Sequence, residues 1–586
     1  MKRLAAFAVT AFLVGGIAMA KNDFTGNISK ARREKLIAEV AEIKAFLEKS
    51  AGADTNAARL LSFAAGLEKE VRGKKYGLVF EEHRERVDVE LDENLPVLTE
   101  VEEKFISRRG AEPQRGAKNG RAACPHAAEV PLNFLIEGDN LAALKLLEKT
   151  HRGKIDLIYI DPPYNTGNKD FIYNDSYVDK TDTFRHSKWL SFMQKRLEIA
   201  KRLMCKDAII FASIDDNEQA PLRMLMDEIW GEGNFIGTIA WESKTKCQNT
   251  KTARRQFQRK WEYILIYKNK PGRYEFILDE VGHYEYDKED DRGRYREKEI
   301  EQMSARGMRG RVSMVFPILG VTPRKGYQWK YGKETVDEFK ARGDLELIEG
   351  RPSFRIRPED DTARCKPFWS FLDKNYGTGE SANTELKQII GPNDFETVKP
   401  HSLIEYLVGR VCNSSSNSTI LDFFAGSGTT GHAVMKLNAE DGGKRKFILV
   451  TNNENGICEK VTYERLKRVM EKEGYDARLK YFKVGYVPIA GMLYYEYADT
   501  LLKHVRELVE LENAVDISHD RTVEIVLTDK ELEKFARRIS AAKSAKIRDV
   551  YVGHDVLMGA EEREALETRG VEIHRIPQYY YPELED

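Results

Sequence analysis

The segment "IDLIYIDPPYNTG" spans Ile155 to Gly167 and changes character at its middle. Its first half is an apolar run typical of a buried strand, and it stops at Asp161-Pro162-Pro163-Tyr164. Two consecutive prolines fix φ and donate no backbone hydrogen bond, so neither a strand nor a helix continues through them. The groups that follow the strand are therefore held rigidly just beyond a sheet edge, where open α/β sheets bind their ligands.

This corner suits a planar ligand that carries an exocyclic amino group. The carboxylate of Asp161 and the backbone carbonyl of Pro162 can accept its two hydrogens, while Tyr164 stacks on its ring. We therefore take Asp161, Pro162, Pro163 and Tyr164 as the candidate residues of a ligand site. The alternative is a corner that merely terminates a strand.

Strand and helix signals alternate on both sides of this corner. Helical patterns such as "NLAALKLLEKT" separate apolar runs such as "DAIIFASI", which predicts parallel strands with covering helices in an α/β doubly wound sheet. The alternation breaks at Glu242, stays polar and patchily basic to about Phe368, and returns with "STILDFFAG" and "RKFILVTNN". The sequence thus predicts one sheet whose two halves are separated along the chain by an insert.

A second constellation, "STILDFFAGSGTTGHAV", spans Ser418 to Val434. A strand delivers Asp422 to the turn Gly426-Ser427-Gly428, and a helix begins at Thr429. Glycines allow positive φ and close approach of a ligand, and a helix N-terminus offers free amides. The segment looks like a nucleotide-binding loop, yet it has neither the Gly-Lys-Ser/Thr of a phosphate loop nor the full dinucleotide fingerprint. A tight turn with a structural role is the alternative.

Length and composition limit the number of domains and the kinds of partner that this chain can have. A chain of 586 residues is too long for one core, so we expect at least three domains. The formal net charge of −1 gives no global sign of nucleic-acid binding, so any basic surface must be local. The six cysteines form no CxxC pair, which predicts no metal site and suits a reducing compartment.

The two constellations together resemble the amino-methyltransferases of DNA. "DPPY" is similar to their catalytic motif and "DFFAGSGTT" to their cofactor loop, which follows about 265 residues later. That order resembles the β class, in which the sheet is circularly permuted and a target-recognition insert separates its halves. "FLIEGDNLAALKLL", "FASIDDNEQ" and "VTNNENGICEKVTYERLKRV" are similar to the modification subunit of type III restriction-modification systems. The resemblance covers most of residues 28–586.

The resemblance implies methyl transfer from S-adenosylmethionine to the N6 amino group of an adenine flipped out of double-stranded DNA. It also implies a homodimer and a helicase-nuclease restriction subunit as partners. The alternatives are a solitary adenine or cytosine-N4 methyltransferase, and a non-catalytic DNA-recognition subunit of a nuclease complex. An exported binding protein is a further alternative, which rests on the N-terminal leader alone.

The resemblance also implies a set of cofactor-binding residues. "EGDN" is similar to the segment that faces the cofactor's adenine, and "ETVKPHSLIEYL" to the segment that holds its methionine end. Many relatives carry an acidic residue for the ribose after the next strand, where this chain has Thr451, Asn452 and Asn453, with Glu454 one step later. The candidates are Asp139, Asn140, Lys399, Pro400, Ser402, Asp422, Phe423, Ala425, Gly426, Gly428 and Asn453.

The insert begins with a basic stretch. "SKTKCQNTKTARRQFQRKWEY", Ser243 to Tyr263, has seven basic residues and no acidic one before Glu262. Positive charge beside Gln, Asn and aromatic groups suits contacts with phosphates and base edges. The alternative is a solvated basic loop. The candidate DNA-binding residues are Lys244, Lys246, Lys251, Arg254, Arg255, Arg259 and Lys260.

The N-terminal "MKRLAAFAVTAFLVGGIAMA" has the form of a secretory signal. The implied substrate and cofactor are cytoplasmic, so we favour a misassigned start, with translation from Met19, or an unprocessed segment. We expect a cytoplasmic protein with no membrane partner, since no other apolar run approaches the ~20 residues that span a bilayer.

The expected architecture is a Rossmann-like, circularly permuted S-adenosylmethionine-dependent methyltransferase sheet of class α/β. It carries an inserted target-recognition domain, a helical N-terminal segment and a small C-terminal α/β domain. The expected boundaries are 1–20 for the leader, 28–106 for the helical region, 107–129 for a linker, 133–242 for the first half of the sheet, 243–368 for the insert, 369–488 for the second half and 489–586 for the last domain.

Overall fold

The computed structural model describes residues 80–108 and 130–576, together with 37–45, 47, 60–61 and 63–65. Short internal stretches are outside this description: 168–169, 174–175, 248–250, 252–253, 256, 273, 281, 283, 308–309, 362–364, 490–499, 520–521 and 542–546. The chain divides into two units, Met1–Val79 and Phe80–Asp586. In the first unit, residues 37–45 and 63–65 are helical; the predicted leader lies outside the described residues, as does the predicted linker beyond residue 108.

A mixed sheet of eleven strands forms the centre of the second unit. In chain order its strands are β1 (Asn94–Glu100), β2 (Ile106–Arg108), β3 (Leu132–Glu137), β4 (Ile155–Ile160), β5 (Met204–Ile214), β6 (Phe235–Trp241), β7 (Glu262–Lys268), β8 (Phe371–Leu372), β9 (Thr419–Asp422), β10 (Lys446–Thr451) and β11 (Ala477–Pro488). In space they run β1-β11-β3-β10-β9-β4-β5-β7-β6-β8, and β2 also pairs with β11.

Helices connect these strands. They are α1 (Arg86–Glu93), α2 (Asn140–His151), α3 (Arg185–Leu203), α4 (Gln219–Trp230), α5 (Gly379–Ile390), α6 (His401–Gly409), α7 (Thr429–Asp441) and α8 (Glu464–Glu473). A two-stranded hairpin, Ile172–Tyr173 with Ser176–Tyr177, lies between β4 and α3. Within the part of the chain that the structure describes, every helix is too short or too polar to span a bilayer.

Strands from the two halves of the sequence interleave in this sheet. β9 and β10 lie between β3 and β4, and all four are parallel. Ile420 pairs with Leu157 and Leu421 with Ile158, and these side chains are fully buried. Apolar runs of this kind are typical of parallel strands that are covered on both faces. The fold is therefore the permuted, Rossmann-like α/β sheet that the sequence predicts, and both motifs follow strands at one sheet edge.

Three strands differ from the sequence-based expectation. Glu262–Lys268 lies within the range expected for the insert, yet it is a central strand, antiparallel to both β5 and β6. The prediction of uniformly parallel strands is therefore wrong at this end of the sheet. Asn94–Glu100 and Ile106–Arg108 fall at the end of the region expected to be helical, but they are strands paired with β11.

The chain between β7 and β8 forms an antiparallel substructure with its own core. Its four-stranded sheet has the order Lys288–Asp290, Gly293–Glu299, Arg351–Ile356, Leu345–Ile348. Two short pairs, Asp279–Glu280 with Cys365–Lys366 and Gln302–Ser304 with Tyr327–Trp329, and the helix Lys333–Ala341 complete it. Trp329 and Phe354 are buried at its centre. Because this core is separate, the substructure can vary without disturbing the central sheet.

The C-terminal part has a second small core. Its parallel strands are β12 (Val523–Val526), β13 (Asp549–Val552) and β14 (Glu572–Arg575). The helices α10 (Asp529–Ala541) and α11 (Ala560–Glu567) alternate with these strands, and α9 (Val505–Asn513) precedes them. This is the small α/β arrangement expected from residue 489 onward, but α9 belongs with the central sheet. Its Glu510 carboxylate lies 2.7 Å from the buried Lys480 Nζ of β11.

Candidate active site

The Asp161 corner is anchored on both sides. On one side, Trp189 Nε1 of α3 donates to the Pro163 carbonyl at 2.7 Å. On the other, the buried Asn165 has a left-handed φ of 53° and donates its amide to Glu218 Oε1 at 2.5 Å. Since proline fixes φ and Asn tolerates the left-handed region, this sequence can make the turn at little cost.

Four polar side chains meet inside the corner. Lys399 Nζ lies 2.8 Å from both Asp161 carboxylate oxygens and 2.8 Å from the Tyr164 hydroxyl. Glu262, the first residue of β7, lies with Oε2 2.9 Å from the Tyr164 hydroxyl and 3.4 Å from Lys399 Nζ. The resemblance implied that Lys399 holds the methionine end of the cofactor, whereas the structure places its ammonium on Asp161.

The charges of this group are mutually dependent. Burial raises the pKa of Asp161, and the Lys399 ammonium opposes that rise. Burial also disfavours the charged forms of Lys399 and Glu262, but the attraction of the Lys399 ammonium to Asp161 and to Glu262 prevails. The pKa of Lys399 is raised, and the pKa of Glu262 is lowered. Lys399 and Glu262 are therefore both ionised at neutral pH, as expected for paired buried charges.

A cavity of about 600 Å³ opens at this group. Lys399 Nζ lies 5.0 Å from the ring centroid of Tyr164 and 5.8 Å from that of Trp241. Both rings line the cavity, so it offers flat apolar walls beside hydrogen-bond acceptors. Its other lining residues include Pro162, Asp215, Ser243, Lys244, Lys246 and Val398.

A second cavity of about 710 Å³ adjoins the first along the sheet edge. The two have Pro163, Asp170, Glu396 and Thr397 as common lining residues. Acidic, amide and aromatic side chains line the second cavity, among them Glu85, Asp139, Asn140, Phe171, Phe192, Phe423, Phe424, Asn452 and Glu454. Both volumes are in the range of small-molecule sites, about 300–1,000 Å³.

Three of the predicted cofactor residues line this second cavity. Asp139 caps α2 by accepting from the Leu141 amide at 2.7 Å. Asn140 donates to the Phe423 carbonyl at 3.0 Å, which ties the start of α2 to the end of β9. Asp139, Asn140 and Phe423 therefore meet although they come from different halves of the sequence.

The glycine loop directly follows Phe423 and Phe424, which line this cavity. Asp422 is buried, accepts from Thr430 Oγ1 at 2.5 Å, and burial raises its pKa to about 7. Gly426 has a φ of 48°, and a Cβ there would lie 3.2 Å from the Phe395 ring. The loop thus needs glycine for its shape. Among the described residues, those that line neither cavity include Asp422, Ala425, Gly426 and Gly428.

The other predicted cofactor residues lie beside the cavities. Pro400 is the N-cap of α6, and Ser402 Oγ donates to the Tyr376 carbonyl at 2.8 Å. Asn453 turns away from the second cavity and donates to Glu137 at 3.3 Å. Its neighbour Glu454 lines that cavity. At this strand end Glu454, and not Asn453, therefore faces the second cavity.

The basic residues after β6 divide into three groups. Lys244 and Lys246 line the Asp161 cavity. Arg259 is paired with Asp215 at 2.6 Å and Asp216 at 2.9 Å, and Lys260 with Glu242 at 3.0 Å. The remaining three, Lys251, Arg254 and Arg255, belong to neither group, and all seven residues are exposed.

Glu262 is the site residue that the sequence-based prediction missed. It is the first acidic residue after the basic stretch that begins at Ser243, and it starts the apolar run "YILIY". A lone carboxylate between a basic segment and a buried strand is the signal that could have found it, because buried carboxylates need partners.

Comparison with known proteins places the chain. Residues 155–464 match the family described as DNA methylase. The StyLTI Mod subunit of a type III restriction-modification enzyme from Salmonella typhimurium is 32% identical over 421 residues, 63% of this chain and 62% of that protein. The EcoPI Mod subunit from Escherichia phage P1 is 32% identical over 382 residues, 55% of this chain and 58% of that protein. The chain thus spans about six-tenths of these two relatives.

A shorter relative is covered more fully. The type II methyltransferase M.KpnI from Klebsiella pneumoniae is 35% identical over 346 residues, 54% of this chain and 79% of that protein. The family match extends over more than half of the 586 residues and includes both the Asp161 corner and the glycine loop. This chain belongs to the DNA methylase family.

Proposed function

We propose that this chain transfers a methyl group from S-adenosylmethionine to the N6 amino group of an adenine flipped out of double-stranded DNA. The supporting observation is the adjacency of two cavities at one sheet edge, the first lined by Asp161 and the second by Phe423. A donor in the second cavity would face an acceptor in the first. Positioning of this kind supplies much of the rate enhancement in a group transfer.

The second cavity fits S-adenosylmethionine in size and chemistry. Carboxylates at Asp139 and Glu454 can accept from hydroxyl and ammonium groups, Asn140 and Asn452 add amides, and Phe423 offers a ring for a purine. When bound, S-adenosylmethionine supplies the methyl group on a sulfonium. The acidic lining complements that positive charge.

The first cavity fits an adenine. The Asp161 carboxylate and the Pro162 carbonyl would accept the two amino hydrogens, which would favour a pyramidal nitrogen and free its lone pair. Tyr164 and Trp241 provide rings on which a base can stack. A base inside a duplex cannot reach such a cavity, so the reaction requires base flipping.

The exposed basic residues are suited to hold the DNA. Lys244 and Lys246 lie at the first cavity, where the phosphates that flank a flipped base would pass. We assign sequence recognition to the antiparallel substructure between β7 and β8, because it has its own core and can therefore vary without disturbing the site. Arg259 and Lys260 are paired with acidic neighbours and are weaker candidates for phosphate contacts.

The likeness to Mod subunits supports a role in restriction-modification, with a helicase-nuclease restriction subunit as a partner. On the same grounds we propose a cytoplasmic location. The likeness to a type II methyltransferase supports the solitary alternative. A homodimer stays a prediction from the resemblance, and sedimentation of the purified chain tests it.

Sequencing for modified bases tests the proposed function. The purified chain is incubated with S-adenosylmethionine and unmodified genomic DNA. An Asp161→Ala variant is treated in the same way in a parallel sample. We expect N6-methyladenine at one recurrent sequence and no methylation by the variant. N4-methylcytosine would redirect the assignment to the cytosine alternative, and the absence of any methylated base would contradict methyl transfer altogether.

A further inference from the structure

We infer that the Lys399 ammonium holds the position on Asp161 that the target amino group takes during catalysis, and that Glu262 receives the ammonium when the base enters. This inference rests on the proposed function and adds Glu262 as a positioning residue. It begins from a conflict of contacts. Lys399 Nζ is 2.8 Å from both oxygens of the carboxylate that would bind the base.

The conflict extends to the stacking surface. Nζ lies over the Tyr164 ring, 5.0 Å from its centroid, and 5.8 Å from the centroid of Trp241. A base stacked on Tyr164 with its amino group on Asp161 would meet the ammonium. The base and the ammonium therefore bind this position alternately.

An ammonium that leaves Asp161 needs another partner, because an unpaired buried charge is strongly unfavourable. Glu262 is that partner. Its Oε2 is 3.4 Å from Nζ, just beyond the distance of about 2.8 Å that is typical of a charge-assisted hydrogen bond. The lysine side chain has four rotatable bonds, so Nζ can move toward Glu262 while the backbone stays in place.

Glu262 is itself held in a position to receive the ammonium. The strand β7 is paired on both sides, with β5 and β6, so the start of this strand is fixed at the cavity. The Tyr164 hydroxyl lies 2.9 Å from Oε2 and 3.0 Å from Asp161 Oδ1, between the two carboxylates. The ammonium can thus pass from one carboxylate to the other along a short polar path.

A double-variant cycle tests this exchange. The variants are Glu262→Gln, Lys399→Met and the two combined, and the readouts are the single-turnover rate of methyl transfer and the affinity for S-adenosylmethionine. In Glu262→Gln the ammonium stays on Asp161, so the rate should fall about ten-fold or more at unchanged cofactor affinity, given the strength of hydrogen bonds to charged groups. Glutamine keeps the size of the side chain and an oxygen for Tyr164.

The combined variant distinguishes an exchange of the ammonium from a merely structural role of Glu262. Removing Lys399 as well takes the ammonium away from both Asp161 oxygens, so the double variant should be faster than Glu262→Gln alone. The comparison runs from about pH 6 to 9, because burial raises the pKa of an Asp161 that has lost its ammonium. A double variant that is no faster than Glu262→Gln at any pH in this window overturns the inference.

A matched pair controls for loss of an ion pair elsewhere. Lys154 Nζ and Glu512 Oε1 are 2.5 Å apart, and Lys154 precedes β4, at the sheet edge opposite Asp161. Lys154→Met and Glu512→Gln, singly and combined, should leave the methyl-transfer rate unchanged. A wild-type chain that transfers no methyl group refutes the proposed function; an active wild type without rescue refutes this inference alone.

A crystal structure with an adenine-containing duplex and S-adenosylhomocysteine covers the case in which the variants do not fold. We expect Lys399 Nζ within hydrogen-bond distance of Glu262 and no longer on both Asp161 oxygens. An ammonium that still bonds both oxygens, with the base in the cavity, overturns the exchange.

Discussion

Lys399 Nζ lies 2.8 Å from the Asp161 carboxylate although 238 residues separate the two in sequence. This contact joins the half of the chain that carries the Asp-Pro-Pro-Tyr corner to the half that carries the glycine loop. It exists because Lys399 lies just before α6, which leads into β9, and β9 pairs with β4. The candidate site therefore forms only when the two halves fold as one sheet.

The ring of Tyr164 should matter more than its hydroxyl for capture of the base. Stacking of a base on an aromatic ring is worth about 1–3 kcal/mol, so Tyr164→Ala should lower kcat/KM for DNA by about 5- to 150-fold. Tyr164→Phe keeps the ring and loses the hydroxyl contacts with Asp161, Glu262 and Lys399, so its loss should be smaller. Steady-state kinetics with varied DNA measures both, and equal losses would show that stacking is not the role of this ring.

Basic residues at the cavity should control the salt dependence of DNA binding. Lys244→Ala and Lys246→Ala should each reduce the slope of log K against log salt by about 1, the value expected for one phosphate contact. Arg259→Ala should change the slope less, because Arg259 is paired with Asp215 and Asp216. Fluorescence anisotropy at several salt concentrations gives the slopes, with Lys154→Ala as the control. Equal slopes for all variants would contradict the assigned DNA path.

Glu218, which holds the Asn165 turn, should make stability depend on pH. Burial raises its pKa from the usual 4.5 to about 8. The folded state then binds a proton that the unfolded state releases, so the contribution is fully present below about pH 4.5 and is lost as pH rises through about 8. The free energy of unfolding should fall more steeply between pH 5 and 8 for the wild type than for Glu218→Gln. If the free energy of unfolding, measured by urea denaturation, changed with pH equally in both proteins across this window, the effect would be ruled out.

A buried lysine should dominate the contact between α9 and the sheet. Lys480 Nζ lies 3.0 Å from Glu100, 2.7 Å from Glu510 and 3.0 Å from Asp516, and its side chain is fully buried. Lys480→Met removes the ammonium that these three carboxylates share, so stability should fall by about 3–5 kcal/mol.

The matched control is on the same strand. Lys483 is 41% exposed and pairs with Glu137 and Glu459, so Lys483→Met should cost less than about 1 kcal/mol. Urea denaturation followed by circular dichroism compares the two variants. Similar losses would mean that the buried network contributes no more than a surface pair.

The central part of the fold was predictable because its signals are local. β4 and β9 are continuous apolar runs, since both faces of a parallel sheet are covered. β1 was not predictable in this way. Its sequence "NLPVLTE" contains Pro96, which argues against a central strand, and the structure tolerates Pro96 because β1 is an edge strand. The basic residues before β7 concealed a strand whose own sequence, "EYILIYK", is apolar.

The site was predictable as a set of motifs but not as a set of contacts. Asp161 and Tyr164 follow from the chemistry of the corner, whereas the position of Lys399 depends on the long-range pairing of β9 with β4. The turn after β10 decides which of two adjacent residues faces the second cavity. Asn453 faces Glu137 and Glu454 faces the cavity, a difference of backbone direction that no composition pattern encodes.

The most direct test of the assigned reaction is the methyl-transfer rate of Asp161→Asn measured beside its binding constants. Asparagine keeps the shape of the side chain but puts an amide donor where a carboxylate oxygen should accept from the base. We expect transfer of tritiated methyl groups to DNA to fall to background, with affinities for S-adenosylmethionine and DNA within about two-fold of the wild type. Transfer at a rate near that of the wild type would contradict a reaction in which Asp161 grips the target amino group.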